Sequence, residues 1–378
     1  MFDKQALSAY LSAWVKKKNL AGVSACIMNE SGPVYTFNGG FRDAALCVPV
    51  DTDTMFGIAS MSKSMTSLCL CILEAEGRLR LEDPVSRYIP QFRVPGQPKE
   101  AVTLFHLMNH TSGIPPMEPL EWSIALNTPG RDESKWAQAM RRTAPNPMAT
   151  IEQILDYIAN CPYPMLGAPG EIMSYSNEGY AILSYVVDAA AGTPLEDFMQ
   201  KRVFEPLGMT HTGYCPTGGN IAATEVDPET GVAWQGIVHD ENARFLRGVS
   251  ANAGVFSDIH DMIRFAQMLA RGGDGYLSPA TLRRAIACHA EDGEVRRGLG
   301  FHLAGTPENF MGDLVPPSAF GHTGFTGTSL LVEPETGFFA VLLANRVHPT
   351  RENTRLFRFR RKMHNVLYAC SFYAQKTE

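Results

Sequence analysis

Three short stretches carry residue types that can do covalent chemistry together: Ser60-Met61-Ser62-Lys63, Tyr175-Ser176-Asn177 and Gly321-His322-Thr323-Gly324-Phe325. A serine hydroxyl attacks a carbonyl only when a neighbouring base takes its proton, and a lysine amine serves once burial and nearby cations leave it neutral. Positions three apart lie just under one helical turn from each other, so Ser60 and Lys63 share a face at the start of a helix. That helix start also offers a positive dipole end and free backbone N–H groups where a carbonyl oxygen becomes an oxyanion. The tetrad alone is not distinctive: chance supplies about one in a chain this long, and by itself it reads as a serine cap followed by a solvated lysine.

A phenol titrates near 10, but beside a lysine it can share a proton and act as general base and acid. Tyr175 fits that part, with Asn177 two residues on to bond the lysine or a substrate amide. Taken by itself Tyr175 reads as a core aromatic. Gly321 and Gly324 allow close backbone approach to a ligand and leave N–H groups free at a strand edge, a source for a second oxyanion donor. His322 on its own reads equally as a surface histidine. His106 and His110 lie four apart but lack an adjacent Glu and a third ligand, so the turn His110-Thr111-Ser112-Gly113 is expected to be structural and no metal is expected. There is no Gly-x-Ser-x-Gly or His-Glu-x-x-His, which removes the main support for an α/β-hydrolase or a zincin.

The elements that must position these residues follow from periodicity. Apolar spacing predicts a helix from Ser60 to Glu76, closed by Gly77. Before it come an N-terminal amphipathic helix and a hairpin of strands at 22–28 and 32–37. Helices are expected at 150–160, 178–191, 195–208 and after Ser257, and a loop-rich stretch at 209–253. Strands return at 298–303, 319–324, 328–333 and 338–345, before a last helix with Leu356, Phe359, Met363, Val366, Leu367 and Cys370 on one stripe. Its basic run, Arg355, Arg358, Arg360, Arg361 and Lys362, is expected mostly off that stripe on a solvated face. The order predicts an α+β fold, an antiparallel sheet flanked by helices. Residues 1–80 and 290–378 would form one α/β sandwich domain, and 81–289 a mostly helical insertion with a lid-like segment at 114–150.

Composition narrows the partners. The chain has 378 residues, 45% of them hydrophobic, and a formal net charge of −6, so nothing electrostatic favours nucleic acid. A small molecule or peptide is the expected partner; oligomeric state is not legible. No export signal or bilayer-length apolar run is evident, which predicts a cytoplasmic protein without membrane association. The eight cysteines are scattered without a Cys-x-x-Cys pair and are expected to be reduced core residues.

Ser60-x-x-Lys63, Tyr175-Ser176-Asn177 and His322-Thr323-Gly324, in that order, resemble the signature elements of the serine β-lactamase and penicillin-binding-protein superfamily. The closest likeness is to its class C-related branch of DD-peptidases, D-aminopeptidases and family VIII carboxylesterases. Flanking words match as well: Leu107-Met108-Asn109-His110-Thr111-Ser112-Gly113, Pro206-Leu207-Gly208-Met209, Gly298-Leu299-Gly300-Phe301 and Gly327-Thr328-Ser329-Leu330. The resemblance, covering residues 10–368, implies that Ser60 is acylated, that Lys63 and Tyr175 transfer the proton, and that Asn177 contacts Lys63 and substrate. It implies that the N–H groups of Ser60 and Phe325 form the oxyanion hole beside His322, Thr323 and Gly324, and it implies no metal or cofactor. Typical class C β-lactamases have Lys where this chain has His322, a weaker anchor for a β-lactam carboxylate. The expected function is therefore hydrolysis of small esters or amides, of carboxylesterase or D-amino-acid peptidase type. A DD-peptidase or β-lactamase is the alternative, and a non-catalytic binding or scaffold relative the further one. Specificity is expected to reside in the 114–150 segment and the loop Val238–Ala243.

Overall fold

The computed structural model describes residues 4–18, 20–29, 32–115, 155, 159, 164–227, 230–306 and 309–374. Strand β1 (Gly22–Asn29) is buried along its whole length, and its alternate side chains part between two apolar clusters. Val23, Ala25 and Ile27 join one, Cys26 and Met28 the other. Phe338–Ala344, here β12, divides likewise: Phe339, Val341 and Leu343 on one face, Phe338, Ala340 and Leu342 on the other. Strands apolar on both faces need a layer of helices on each side.

β1 and β12 lie side by side, antiparallel from Val23 opposite Ala344 to Met28 opposite Phe339. They join the two ends of the chain at the centre of one sheet. Outward from β1 run β2 (Gly32–Asp43) and β3 (Val48–Pro49). Outward from β12 run β11 (Ser329–Glu333), β10 (Phe320–Thr323), β9 (His302–Leu303), β8 (Arg296–Arg297) and β7 (Ala290–Glu291). Helices α1 (Lys4–Lys18) and α9 (Arg355–Ala374) cover one face through Leu7, Leu11, Leu356, Phe359, Met363 and Leu367. Trp14 stacks on Phe359 with ring centroids 4.2 Å apart. Each large apolar side chain buried here contributes about 2 kcal/mol.

The other face is covered by α7 (Ile259–Ala270), which packs on β12, β11 and β1, and the same apolar cluster extends to α2 (Ser62–Ala75) and α4 (Asn177–Ala191). Every residue of α2 from Ser62 to Leu73 is buried. A helix hydrophobic and small on all sides belongs inside a core, and this one runs between sheet and helices. The short α3 (Leu104–Met108) and α5 (Leu195–Met199) pack beside α4. A second, small sheet of β4 (Phe56–Gly57), β6 (Val255–Ser257) and β5 (Gly213–Tyr214) braces the approach to α2.

Several expectations need correction. The helix after Ile58 starts as a 3₁₀ turn at Ala59–Met61, and its α-helical part begins at Ser62. Residues 298–303 are not one strand: two glycines interrupt the alternation, and Gly298–Phe301 turns between β8 and β9, with Gly298 N bonded to Phe301 O at 2.9 Å. The helix expected to run to residue 208 is α-helical only to Met199 and then widens to a π-type turn over Gln200–Phe204. Among the described cysteines, Cys26, Cys69 and Cys71 are buried, but Cys47, Cys215 and Cys288 are exposed. Helix α9 also departs from expectation at Arg360, which is only 4% exposed. It lies four residues from both Leu356 and His364, a spacing that returns it to the inner stripe. All of the helix expected at 150–160 except Leu155 and Ala159, and most of the 114–150 segment, lie outside the described residues.

Candidate active site

Ser60 sits in the 3₁₀ turn where β4 gives way to α2. The preceding Ala59 has φ +49°, a left-handed conformation that costs an alanine about 1 kcal/mol. Surrounding bonds hold it there. Ile58 N donates to Val255 O at 2.9 Å, Thr328 Oγ1 to Ile58 O at 3.0 Å, and Thr326 Oγ1 to Gly57 O at 2.7 Å. The end of β10 therefore abuts the serine turn. A Cβ on Gly324 would lie 2.3 Å from Ile58 O, so only glycine permits the approach.

Lys63, one turn into α2, is fully buried. Its Nζ donates to Ser60 Oγ at 3.2 Å, Asn177 Oδ1 at 2.9 Å and the backbone oxygen of Asn252 at 2.9 Å. All three acceptors are neutral, and together they fix the amine against the serine. Tyr175 precedes α4, its ring centroid 4.9 Å from Lys63 Nζ, and it is 37% exposed, so it is not a core aromatic. Two groups steady its segment. Ser176 caps α4 by accepting from Gly179 N at 2.9 Å, and His110 accepts from Ser176 N through Nδ1 at 3.1 Å. His110 has φ +64°, and its ring lies 4.5 Å from that of Tyr175. The His110 turn thus positions the tyrosine.

Ser60 and Tyr175 open onto a cavity of about 510 Å³, large enough for a small molecule. Ser60, Tyr175, Asn177, His322, Thr323, Gly324 and Phe325 all face it. Its outer wall is the stretch His239–Asn242 with Arg351. There Glu225 accepts from His239 Nε2 at 2.9 Å and from Arg351 Nε at 2.7 Å, and Arg351 also bonds Glu241 at 2.7 Å. His239 and Arg351 hold the Glu225 carboxyl well below the usual carboxylate range, outweighing its burial. Asp240 caps helix α6 (Glu241–Phe245) and accepts from Asn252 Nδ2 at 2.9 Å. Ser250 Oγ closes on Asn252 Oδ1, so the residue whose carbonyl anchors Lys63 is itself pinned.

The inner wall is formed by Arg297, His302, His322 and Arg360. His322 is 2% exposed and so is not a surface histidine; its Nδ1 lies 2.8 Å from Thr323 O, which makes Nδ1–H the donor. Burial, and then the fields of Arg297 and Lys63, hold His322 well below the usual imidazole range. His302 and His110 are depressed for the same first reason, with Arg297 next. His322 is therefore a neutral imidazole at physiological pH.

Every sequence-predicted site residue except Lys63 lines this cavity, and Lys63 reaches it through its bond to Ser60 Oγ. Asp240 lies in the Val238–Ala243 loop expected to bear on specificity, whereas Asn252, Arg297 and Arg360 were not foreseen as part of the site. Asn252 comes from a loop without periodicity, and Arg297 precedes a Gly-rich turn expected to be strand. Arg360 carried a readable signal, its helical spacing from Leu356. Among the described residues the one cluster of metal-ligand types, Asp53, His211 and Asp258, lies outside the cavity lining. No helix among the described residues is long and apolar enough to cross a membrane.

Comparisons with known proteins bear on family and fold. The sequence model of the Beta-lactamase family matches residues 7–364. A Salmonella schwarzengrund protein named as a D-alanyl-D-alanine carboxypeptidase is 29% identical over 94% of this chain and 86% of its own. Among solved structures, the octameric penicillin-binding protein homologue from Pyrococcus abyssi superposes with a TM-score of 0.74 at 22% identity, covering 94% of this chain and 76% of that one. EstCE1, a hydrolase with promiscuous acyltransferase activity, superposes with a TM-score of 0.71 at 21% identity, covering 94% and 97%. At these identities the structural likeness is one of fold.

Proposed function

Because the chain belongs to the beta-lactamase family of serine hydrolases, we propose that it forms an acyl-enzyme on Ser60 and hydrolyses small esters or amides of carboxylesterase or D-amino-acid peptidase type. The observation that carries this reading is the wholly buried Lys63 amine, 3.2 Å from Ser60 Oγ and otherwise bonded only to neutral oxygens. Among the described residues no carboxylate bonds to it.

In this mechanism Lys63 and Tyr175 together take the Ser60 proton as Oγ attacks the substrate carbonyl. The N–H groups of Ser60 and Phe325, on either side of the seam between the serine turn and β10, receive the oxyanion. Loss of one such donor costs about 3 kcal/mol of transition-state stabilisation. Tyr175 returns the proton to the leaving group as the tetrahedral intermediate collapses. It then takes a proton from a water that attacks the acyl carbonyl, and the acid leaves as Ser60 recovers its hydrogen. Asn177 holds Lys63 in place and offers its amide to the substrate.

A second reading, peptidase action on peptidoglycan-type D-peptides, is favoured by the name of the Salmonella relative. A panel of p-nitrophenyl esters, D-amino-acid amides, D-alanyl-D-alanine peptides and nitrocefin separates the two. A fluorophosphonate probe tests what they share: Ser60 is expected to be labelled, and labelling to collapse in Lys63→Ala. No labelling of Ser60, or equal labelling in the variant, overturns the hydrolase reading.

A further inference from the structure

In the mechanism proposed above Phe325 supplies the second oxyanion donor, yet its own backbone is not what holds it. The residues on either side are tied down: Gly324 N donates to Thr328 O at 2.8 Å, Arg346 N to Thr326 O at 2.9 Å, and Thr326 Oγ1 to Gly57 O at 2.7 Å. Among the described residues the Phe325 N–H has no hydrogen-bond partner, as an oxyanion donor requires. The handle on Phe325 is its ring. It stacks on His239, with centroids 5.7 Å apart and planes 24° from parallel, and the Arg346 guanidinium carbon lies over it, 4.4 Å from its centroid.

Arg346 stands two residues beyond the end of β12 and is fully buried, outside the cavity lining. Its Nη1 donates to Arg351 O and Asn353 O, each at 3.0 Å, whereas Nε and Nη2 are buried with no partner. Burial lowers its pKa to about 10, so the guanidinium is charged at physiological pH. Aromatic faces stand where acceptors are missing. The guanidinium carbon is also 4.4 Å from the ring centroid of Phe357, in the first turn of α9. Both rings line the cavity and are nearly half exposed. A desolvated guanidinium is attracted to the negative face of a ring, and its flat shape suits stacking as an ammonium does not. Bracing residues 351–353 would occupy Nη1 alone; the rings use the rest of the group.

We propose that Arg346 is a positioning residue for catalysis: anchored on the carbonyls of Arg351 and Asn353, it holds the Phe325 ring and thereby aims the Phe325 N–H at the oxyanion. The proposal deepens the hydrolase reading and rests on it. Arg346 touches no substrate and acts only through Phe325.

Two variants test it. Arg346→Met removes charge and planarity; Arg346→Lys keeps the charge and a donor for the two carbonyls but has no flat face. On p-nitrophenyl butyrate, Arg346→Met is expected to lower kcat about tenfold with KM changed less than about threefold, a partial form of the roughly 10²–10³-fold loss that deleting an oxyanion donor brings. Arg346→Lys should recover the thermal midpoint but not the rate. Two further readouts separate aim from stability. Sulfur accepts hydrogen bonds weakly, so the preference for p-nitrophenyl butyrate over its thiono ester reports on the oxyanion hole, and it should shrink about fivefold in both variants. In a double-mutant cycle with Phe325→Leu, which keeps the N–H and removes the ring, the double variant should fall within about threefold of the slower single one. An unchanged oxo-to-thiono preference, or losses that multiply, overturns the proposal. Should Arg346→Met not fold, Arg346→Lys carries the same comparisons. The crystal structure of Arg346→Lys separates this proposal from the hydrolase reading. A Phe325 ring that leaves its place and carries its N–H with it sustains the positioning even without turnover, and Phe325 unmoved overturns it.

Discussion

The two walls of the cavity are stabilised in opposite ways. On the outer wall Arg351 pairs with Glu225 and Glu241, and Arg244 with Glu241; on the inner side the hydrogen bonds of Lys63 and of the Arg360 guanidinium go to neutral acceptors only. The difference teaches which wall is architecture and which is chemistry. A satisfied network holds a loop in place whether or not a ligand is present. Cations left without anions destabilise the empty protein and are retained where the reaction uses them.

The largest effect should come from the inner wall. Replacing Lys63 with Ala is expected to lower kcat/KM on any substrate about 10³-fold, the scale of a lost general base. The thermal midpoint should stay high enough to keep the variant folded at assay temperature. A loss below tenfold would break the contrast at once.

Acid should then separate the walls. His110, His302 and His322 have depressed native pKa values, so the unfolded chain binds their protons first as pH falls. Their contribution is complete above about 6.5 and declines below it, by up to about 1.4 kcal/mol per pH unit for each histidine. Glu225 is also depressed, but as a carboxylate its contribution is lost only below its unfolded value of 4.5. Urea unfolding at pH 7.5, 6.5 and 5.5 should therefore show a fall of about 3 kcal/mol over the last step. A flat profile from 7.5 to 5.5 contradicts the burial assigned to these imidazoles.

On the outer wall, Glu225→Gln leaves Arg351 and His239 short of an anion. The expected cost is about 2 to 3 kcal/mol of unfolding free energy. Because this wall is architectural, kcat/KM for a neutral ester should change only a few-fold; parallel loss of stability and kcat would erase the distinction. The smallest effect is predicted where the walls join. Asp240→Asn weakens the bond that pins Asn252, whose carbonyl anchors Lys63. It should lower kcat about tenfold with KM unchanged, and a rise in KM alone would mean that Asp240 acts on substrate instead.

How legible these features were in the sequence follows the same line. Ser60 and Lys63 stand at a helical offset that spacing could show, whereas Tyr175, in the coil before α4, and His322, on β10, became legible only through the motif resemblance. The strands at β10, β11 and β12 were legible within about a residue because each alternates or runs apolar between clear turns. What stayed hidden depends on contacts distant in sequence. Asn252 is tied to Lys63 across 189 positions, and Thr328 to Ile58 across 270. Arg297 looked like the lead-in to a strand, because Gly298 and Gly300 resemble strand glycines until Gly300 is seen packed on α2. A Cβ there would meet Ser67 Oγ at 2.2 Å. The exposed Cys47, Cys215 and Cys288 were misplaced for a related reason: local hydrophobicity does not report burial for a small side chain in a loop.

The central claim is that Ser60 carries the acyl group during turnover. Wild-type protein mixed with excess p-nitrophenyl butyrate, quenched in acid within milliseconds and digested for mass spectrometry, tests it most directly. A single butyryl adduct is expected on the peptide containing Ser60, present during turnover and missing from Ser60→Ala. Turnover without an adduct, or an adduct on another residue that persists in Ser60→Ala, would contradict it.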